Sequence, residues 1–574
     1  MRSRGAFLAL ALALAACGED AGPIGSPGGR DGVVLSYATP QVQVRAVGAP
    51  AKVSLTLLAR RAGPDDSLAP WPGAAFDVQR EAGAGRLSAT RVVTNQDGRA
   101  TVELDTPGGA DRTRVSFVLS GDRHSHLPFE VVTAPVVPVD LTRGEVAHLD
   151  PPPNGAILRF SLASEGRYAL IPLNLDPKRS GVTYRFHHTG AGAGGGFTAD
   201  ARPRGSRPAV VVEERGDVVA GSLDPGILAP AAGIPGALNI KSCMIETNRL
   251  APLRYAGRHV ALYVDAPPDQ WQARIDSLGR EFDERIFPGN TALFGPTPDR
   301  DGNGVVLVVL TPALQGLSGV YCDGVRALGV EAFYAVWNPD DRIDRTLATL
   351  AHEHQHVVNA GWHFVSRGTI GDERWLNEAM SFAAEARSGY WGSPLVRVWQ
   401  FLSGQNGGMT MLPFEYASPF HDEYMMFLVY LGDRFGDEFY YRLGSSGHSG
   451  ERNVEESAGL PFPTLVRDWL VAAGVSGRHP DIDPRYRYTT FDLHGMAEEI
   501  AACQCIPKNR FEGMNLEPLW TDSPFDVFRS LDGYDADYYV LRGSAGRSTV
   551  DVFFDAFGIA SVGLSAARLA DEPE

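Results

Sequence analysis

Two histidines and a glutamate are spaced in this chain so that they could hold one metal ion. The pattern is His352-Glu353-x-x-His356, and Glu378 follows 22 positions after the second histidine. On a helix with 3.6 residues per turn, His352 and His356 point the same way, so both imidazoles can reach one cation. Glu353 would lie beside that cation without binding it, where a carboxylate can take a proton from water. Two imidazoles and one carboxylate leave a fourth position open, which is typical of a catalytic zinc site.

Two helices must position these residues. The leucines of the run 345–351 share one face, and Gly361 offers a stop, so the pattern predicts a helix through both histidines. The run 377–385 consists mainly of strong helix formers, which predicts a second helix for Glu378. The alternative is a helix whose histidines face solvent or are satisfied in the core, with no metal.

Glu373 and Glu385 are alternatives to Glu378 as the third ligand. Glu385 lies seven residues beyond Glu378, on roughly the same helical face but two turns away. Only one of these two carboxylates can therefore reach the metal, and we favour Glu378.

The segment 352–356, followed by Asn377-Glu378, resembles the gluzincin metallopeptidases, and among them the hyicolysin family of bacterial neutral metallopeptidases. Further matching segments lie at 299–310, 331–337 and 424–431. The resemblance covers about residues 250 to 475. It implies a zincin-like α+β domain with one zinc ion, and a glutamate ligand supplied by the Asn-Glu pair.

The resemblance also implies a reaction. Zinc lowers the pKa of water toward 7 and polarises the carbonyl under attack, and Glu353 would move the proton from that water to the leaving amine. Family members commonly stabilise the oxyanion with a downstream tyrosine or histidine. Here the candidates are His421 and Tyr424, and the family's usual tyrosine aligns with His421.

These features predict a zinc-dependent endopeptidase that hydrolyses protein or peptide substrates outside the cytoplasm. One alternative is a lipid-anchored surface adhesion or binding protein with an inactive metallopeptidase domain. Another is a zinc hydrolase that acts on peptidoglycan or a different amide, because an activated water attacks any accessible carbonyl.

A second metal site is suggested by Asp299, Asp301 and Asn303, which place oxygen ligands at alternate positions before a glycine. This pattern is typical of the first half of a calcium loop. The twelfth position is Leu310 rather than a bidentate glutamate, so the alternative is a tight turn into a strand.

The N-terminus predicts export. Arg2 and Arg4 precede a short apolar run at 6–16, and the following Cys17 completes a segment that resembles a bacterial lipoprotein processing site. Acylation of Cys17 would anchor the mature chain to a membrane. The glycine at position 18 favours the outer membrane of the cell envelope, and simple secretion is the alternative.

The four other cysteines are Cys243, Cys322, Cys503 and Cys505. In an exported chain they predict two disulfides, and Cys503 and Cys505 are too close to pair with each other, so each should pair with one of the other two. A net charge of −17 and the lack of Lys/Arg runs argue against binding to nucleic acid.

A chain of 574 residues is too long for one hydrophobic core. The predicted fold class is multidomain, an α+β zincin-like metallopeptidase domain flanked by all-β sandwich domains. The segment 93–104 resembles the turn-and-strand motif of invasin-type immunoglobulin-like domains. The predicted units are a lipoprotein signal peptide (1–16), a flexible tether (17–32), an immunoglobulin-like β-sandwich (33–137), a second β-rich domain (138–245), a zinc metallopeptidase domain (246–478) and a C-terminal β-sandwich (479–574).

Overall fold

A computed structural model describes most of the chain after residue 32. The described ranges are 33–62, 67–162, 166–189, 234–241, 246–265, 269–314, 318–321, 331–368, 372–390, 394–403, 421–493, 516–542 and 548–569. The predictions for the signal peptide, the tether and all five cysteines lie outside these ranges. Within them, no helix combines the length and the apolar character that crossing a bilayer requires.

The N-terminal unit consists of two packed β-sheets. Its strands are β1 (Val33–Tyr37), β2 (Val42–Ala46), β3 (Ala51–Ala62), β4 (Leu68–Pro70), β5 (Ala75–Ala82), β6 (Arg86–Leu87), β7 (Arg91–Val93), β8 (Arg99–Thr106), β9 (Asp111–Leu119) and β10 (Asp122–Ala134). One sheet has the order β1-β3-β8-β6 with β4 on β3, and the other has the order β2-β10-β9-β5-β7. Along β8, Ala100, Val102 and Leu104 are buried while the residues between them are more exposed, so the period of two points one face into the core.

Five strands of the second unit follow. They are β11 (Val136–Val139), β12 (Val146–Leu149), β13 (Ala156–Ser161), β14 (Arg167–Asn174) and β15 (Val182–His188).

A mixed sheet follows in the chain, and helices of the same region pack against this sheet. Its strands are β16 (Ala237–Lys241), β17 (Glu246–Ala256), β18 (Val260–Val264), β19 (Val306–Thr311), β20 (Gly319–Val320) and β21 (Ala332–Val336), in the order β16-β17-β18-β19-β21-β20. β18, β19 and β21 are parallel, and β20 is antiparallel to β21. The central strands are continuous Val- and Leu-rich runs because both faces are covered. β16 lies before the predicted boundary at residue 246, but it pairs with β17 and so belongs to this sheet.

The helices of this region are α1 (Gln272–Glu281), α2 (Phe287–Phe294), α3 (Ile343–Ala360), α4 (Arg374–Arg387), α5 (Pro394–Ser403), α6 (His421–Phe435), α7 (Glu438–Ser445), α8 (Gly450–Ala458) and α9 (Phe462–Val475). Short 3-10 segments lie at Asp269–Trp271, Pro312–Leu314 and Pro484–Tyr486, and π-helical turns at Phe282–Ile286 and Gly361–Ser366. α3 contains both histidines of the pattern. Its leucines Leu347 and Leu350 share a core with Val308 and Phe333 of the sheet, while α4 packs between α3 and α6.

The last strands return to the second unit. They are β22 (Glu517–Trp520), β23 (Phe525–Leu531), β24 (Asp535–Ala536), β25 (Tyr539–Arg542), β26 (Thr549–Asp555) and β27 (Val562–Arg568). One sheet has the order β11-β13-β26-β15-β23, and the facing sheet has the order β12-β27-β14-β25-β22 with β24 on β14. The two sheets enclose one core.

This pairing corrects the division into separate units at 138–245 and 479–574. β14 pairs on one side with β27 and on the other with β24 and β25, and β13 pairs with β26. Hydrophobic periodicity identifies each segment as a strand but does not identify its partner, so one sandwich was predicted as two. The mixed sheet and its helices are an insertion between the two halves of that sandwich.

The sandwich is also packed against the helices. Alternate residues of β14 face opposite ways: Leu170 lies in the sandwich core, while Ile171 and Leu173 share a core with Trp469 of α9. The Tyr538 hydroxyl donates a hydrogen bond to the carbonyl of Leu470 in α9, at 3.0 Å. The sandwich therefore supports the helical layer directly.

Candidate metal centre

The metal centre is built by α3 and α4, which pack side by side. His352 and His356 lie one turn apart on α3, and their Nε2 atoms are 3.2 Å from each other. Glu378 on α4 reaches the same point, with Oε2 at 3.4 Å from His352 Nε2 and Oε1 at 3.8 Å from His356 Nε2. All three side chains are buried.

These separations fit a zinc ion. Donor atoms bound tetrahedrally at 2.0–2.1 Å from zinc lie about 3.3 Å from one another. The observed separations of 3.2, 3.4 and 3.8 Å are close to that value. The three residues also form a group whose ligand atoms all lie within 4.8 Å of one another. Two imidazoles and one carboxylate are a donor set that suits zinc and leaves a fourth position.

Glu385 orients the first imidazole. His352 Nδ1 donates a hydrogen bond to Glu385 Oε1 at 2.7 Å. The hydrogen bond to Glu385 keeps a proton on Nδ1, so a metal that displaces the proton from Nε2 would find the tautomer that a metal ligand needs, with Nε2 directed toward Glu378. Glu385 therefore contacts the far side of the ring rather than the position shared by the three donors.

The second imidazole is oriented from the same helix. His356 Nδ1 lies 3.2 Å from Asn377 Oδ1 and 3.1 Å from Ser381 Oγ. Asn377, Ser381 and Glu385 are four residues apart in turn, so they form one stripe along α4, next to Glu378. One helix thus supplies both a ligand and the groups that hold the other two ligands in place.

Glu353 lies beside the three donors and against the edge strand β20. Its carboxylate accepts a hydrogen bond from the backbone N–H of Tyr321, and its Oε2 is buried with no hydrogen-bond partner among the described residues. A Cβ atom at Gly319 would be 2.6 Å from Glu353 Cγ, so the absence of a side chain there lets β20 approach. Burial raises the pKa of Glu353 to about 8, with smaller contributions from nearby charges.

The imidazoles of His352 and His356 are in different electrostatic surroundings. Burial disfavours a charge on His352, but the carboxylates of Glu378 and Glu385 outweigh it and raise the pKa of His352 to about 10. Burial lowers the pKa of His356 to about 4. Because three carboxylates are buried around two imidazoles, the site favours a bound positive charge.

Three further residues that the sequence suggested for the site are Glu373, His421 and Tyr424. Glu373 accepts a hydrogen bond from Trp375 Nε1 at 3.0 Å and is not part of the metal-ligating group. His421 is the first residue of α6, and its side chain lies outside the described part of the structure. Tyr424 is buried on α6, with its ring centroid 6.3 Å from that of Trp375.

The predicted calcium loop has a different third member. Asp299 and Asp301 are grouped with Glu331, one position before β21. Asn303 instead fixes the turn, because its Oδ1 accepts from the N–H of Val305 at 2.7 Å and its Nδ2 donates to Asp301 at 2.8 Å.

Sequence reasoning missed Glu331, as well as the contacts of Gly319 with Glu353 and of Ser381 with His356. Ser381 lies four positions after Asn377, one turn further along the helix that carries Glu378. This spacing is the signal in the sequence that could have pointed to Ser381.

The chain has a distant sequence similarity to a metalloprotease. The chain is 29% identical, over 156 residues, to the neutral metalloprotease ShpI of Staphylococcus hyicus. The match covers 24% of this chain and 35% of that protein, so it spans about a third of the relative's length. No family model matches the chain.

Two solved structures give only weak matches. WR4, an MSP family member of C. elegans, matches at 9% identity with a TM-score of 0.14, over 18% of this chain and 99% of that one. The secreted serine protease VesC of Vibrio cholerae matches at 14% identity with a TM-score of 0.14, over 26% and 39%. Matches at this level carry no argument about fold or function.

Proposed function

We propose that this protein is a zinc-dependent endopeptidase with a zincin-like catalytic domain. The observation that carries the proposal is the convergence of His352, His356 and Glu378 on one point, with Glu353 beside it. The distant similarity to a neutral metalloprotease supports the same class. The predicted export signal and Cys17 support a location outside the cytoplasm, anchored to a membrane of the cell envelope through lipid.

His352, His356 and Glu378 would hold the zinc ion. Zinc bound by two imidazoles and one carboxylate lowers the pKa of water toward 7 and polarises a carbonyl. The hydrogen bonds from the two Nδ1 atoms to α4 keep both Nε2 lone pairs directed at the shared point.

Glu353 is the proposed general base. Its buried Oε2 is available to accept a proton from water, and the same carboxyl can return that proton to the leaving amine. A pKa raised by burial makes this carboxylate a stronger base than an exposed glutamate, while it remains able to release the proton.

A peptide substrate suits the surroundings of Glu353. Among the described strands, β20 pairs only with β21, so it is the edge of the mixed sheet next to Glu353. An extended peptide can add to such an edge through main-chain hydrogen bonds, which would bring its carbonyl groups past the base. His421 and Tyr424 at the start of α6 are the proposed stabilisers of the oxyanion, and either could take that role.

The test compares wild type with Glu353→Gln, using the chain from Gly18 onward loaded with one equivalent of zinc. We expect both proteins to bind about one zinc per chain, since Glu353 is not a ligand. Wild type should cleave unfolded casein, and the zinc chelator phenanthroline should abolish the cleavage. Glu353→Gln should lose activity by about a hundredfold or more, because it cannot accept the proton.

Glu438→Gln is the matched control. Its side chain is 94% exposed on α7, so it removes one carboxylate of the same domain without touching the centre. It should behave as wild type. Zinc bound without cleavage by any of the proteins would favour a binding protein with an inactive domain, and a lack of zinc in wild type would contradict the proposal.

A further inference from the structure

Three carboxylates outside the metal centre meet at the start of two neighbouring strands. Asp299 and Asp301 lie in the loop before β19, and Glu331 directly precedes β21. One oxygen from each of them lies within 4.8 Å of the other two. The starts of the strands coincide because β19 and β21 are parallel neighbours, with Leu307 opposite Ala332.

Glu331 is the unusual member of this cluster. Only 5% of its surface is exposed. Its Oε1 accepts a hydrogen bond from the backbone N–H of Arg300 at 3.2 Å, whereas its Oε2 is buried and has no hydrogen-bond partner among the described residues. A buried carboxylate oxygen without a donor is unfavourable unless a cation compensates it.

A simple turn explains the two aspartates but not Glu331. Asp299 Oδ1 accepts from the N–H of Gly304 at 3.1 Å, and Asp301 Oδ1 accepts from the N–H of Asn303 at 3.2 Å. Such side-chain to backbone bonds are typical of a tight turn and need no third carboxylate. Glu331 is 30 positions beyond Asp301, and folding nevertheless brings its carboxyl to the same place.

The charges in the cluster oppose one another. Burial raises the pKa of Glu331 to about 7, against the hydrogen bond from Arg300, and the negative charges of Asp301 and Asp299 raise it further. Like charges held this close are unfavourable in a partly buried setting, and a divalent cation between them would convert repulsion into attraction.

We propose that Asp299, Asp301 and Glu331 form a calcium site that ties the loop before β19 to the start of β21. Three hard oxygen donors favour calcium over zinc or copper, which prefer nitrogen and sulfur. Calcium also tolerates irregular geometry and completes its shell with water or carbonyl oxygens, whereas magnesium requires a near-ideal octahedron. The cation would supply the partner that Glu331 Oε2 lacks.

The calcium site would stabilise the fold of the mixed sheet and would take no part in the reaction at the zinc site. β21 ends at Val336, and α3 begins seven residues later at Ile343. Calcium would therefore fix the relative position of the two strands that precede the helix of the zinc ligands. Its loss should leave zinc binding intact while lowering the stability of the mixed sheet.

The test is a calcium titration of the zinc-loaded protein after removal of other divalent ions. We expect calorimetry to give one calcium per chain. The Tm should rise by about 3 °C when calcium is a hundredfold above its Kd. Glu331→Gln and Asp301→Asn should each abolish this rise and keep about one zinc per chain, whereas Glu438→Gln should keep the rise.

Several outcomes would overturn the proposal. They are the absence of calcium binding in wild type, an equal rise in Tm for Asp301→Asn and wild type, or an equal rise with magnesium in place of calcium. Asp301 lies in a partly exposed loop, so its variant gives the same readout if Glu331→Gln does not fold.

Discussion

Each imidazole at the metal centre is held from its far side. His352 Nδ1 is bonded to Glu385, and His356 Nδ1 is bonded to Asn377, so both rings are fixed before any metal arrives. Fixing a ligand in advance reduces the entropy that metal binding would otherwise cost, and a carboxylate on the ring raises the basicity of its other nitrogen. The affinity for zinc should therefore depend on side chains that do not touch the metal.

Glu385 is one such side chain, because it contacts His352 but not the point that the three donors share. Glu385→Ala should weaken zinc binding by about a hundredfold, and Glu385→Gln by about tenfold, because glutamine can still accept the hydrogen bond but brings no charge. Competition with a chromophoric chelator measures the zinc Kd directly. If Glu385→Ala binds zinc as tightly as Glu438→Gln, the positioning role of Glu385 is wrong.

The convergence of His352 and His356 could be predicted from sequence because it is local to one helix. A spacing of four places His352 and His356 on one face whatever the rest of the chain does. The role of Glu385 could not be predicted, since helical periodicity gives the face of a side chain but not which ring nitrogen it reaches. Glu331 was missed for a different reason: its contact with Asp301 depends on the pairing of distant strands.

At the scale of elements, the approach of β20 to α3 decides where the Glu353 carboxylate lies. Gly319 is in contact with that carboxylate, and Tyr321 donates its backbone N–H to it. A side chain at position 319 would collide with Glu353, so the Glu353 carboxylate would have to shift from its present position.

Gly319→Ala should therefore impair catalysis without removing the metal. We expect about one zinc per chain and a loss of casein cleavage of about a hundredfold, because a displacement of the base by about 1 Å has effects of this size. Gly289→Ala is the matched control, since a Cβ there on α2 has nothing within 4 Å. Full activity of Gly319→Ala would show that the edge strand does not position the base.

The pairing of the strands could not be predicted from the sequence. The strands themselves follow from alternation and from apolar runs, as in β8 and β19. Their order in the sheet does not follow from the sequence, because β20 precedes β21 in the chain but lies at the edge of the sheet, beyond β21. A two-residue strand such as β20 also carries too little pattern to be recognised.

At the scale of the whole molecule, the strands of segments 136–188 and 517–568 build one sandwich, and the mixed sheet with its helices is inserted between these two segments. The sandwich core is separate from the core that β14 shares with α9, so β14 contributes one face to each. Tyr538 adds a hydrogen bond from the second half of the sandwich to α9. The C-terminal strands are thus part of the support of the metal centre rather than a removable module.

A chain truncated after Leu493 tests this arrangement. It lacks β22 to β27 and so leaves β12, β14 and β15 without their pairing strands. We expect it to lose cooperative thermal unfolding and casein cleavage. A chain that begins at Pro135 lacks the N-terminal sandwich but keeps the second sandwich, the mixed sheet and its helices. It should retain cooperative thermal unfolding, casein cleavage and bound zinc.

Circular dichroism on heating and limited proteolysis measure the folding of both truncated chains. A chain ending at Leu493 that unfolds cooperatively and cleaves casein would show that the C-terminal strands form an independent unit, as the sequence alone suggested.

The most direct test of the central claim is anomalous diffraction at the zinc edge from crystals of the zinc-loaded protein. We predict a peak within about 2.2 Å of His352 Nε2, His356 Nε2 and a carboxylate oxygen of Glu378. A strong zinc peak elsewhere, with none at this position, would contradict the assignment of the metal centre and the mechanism built on it.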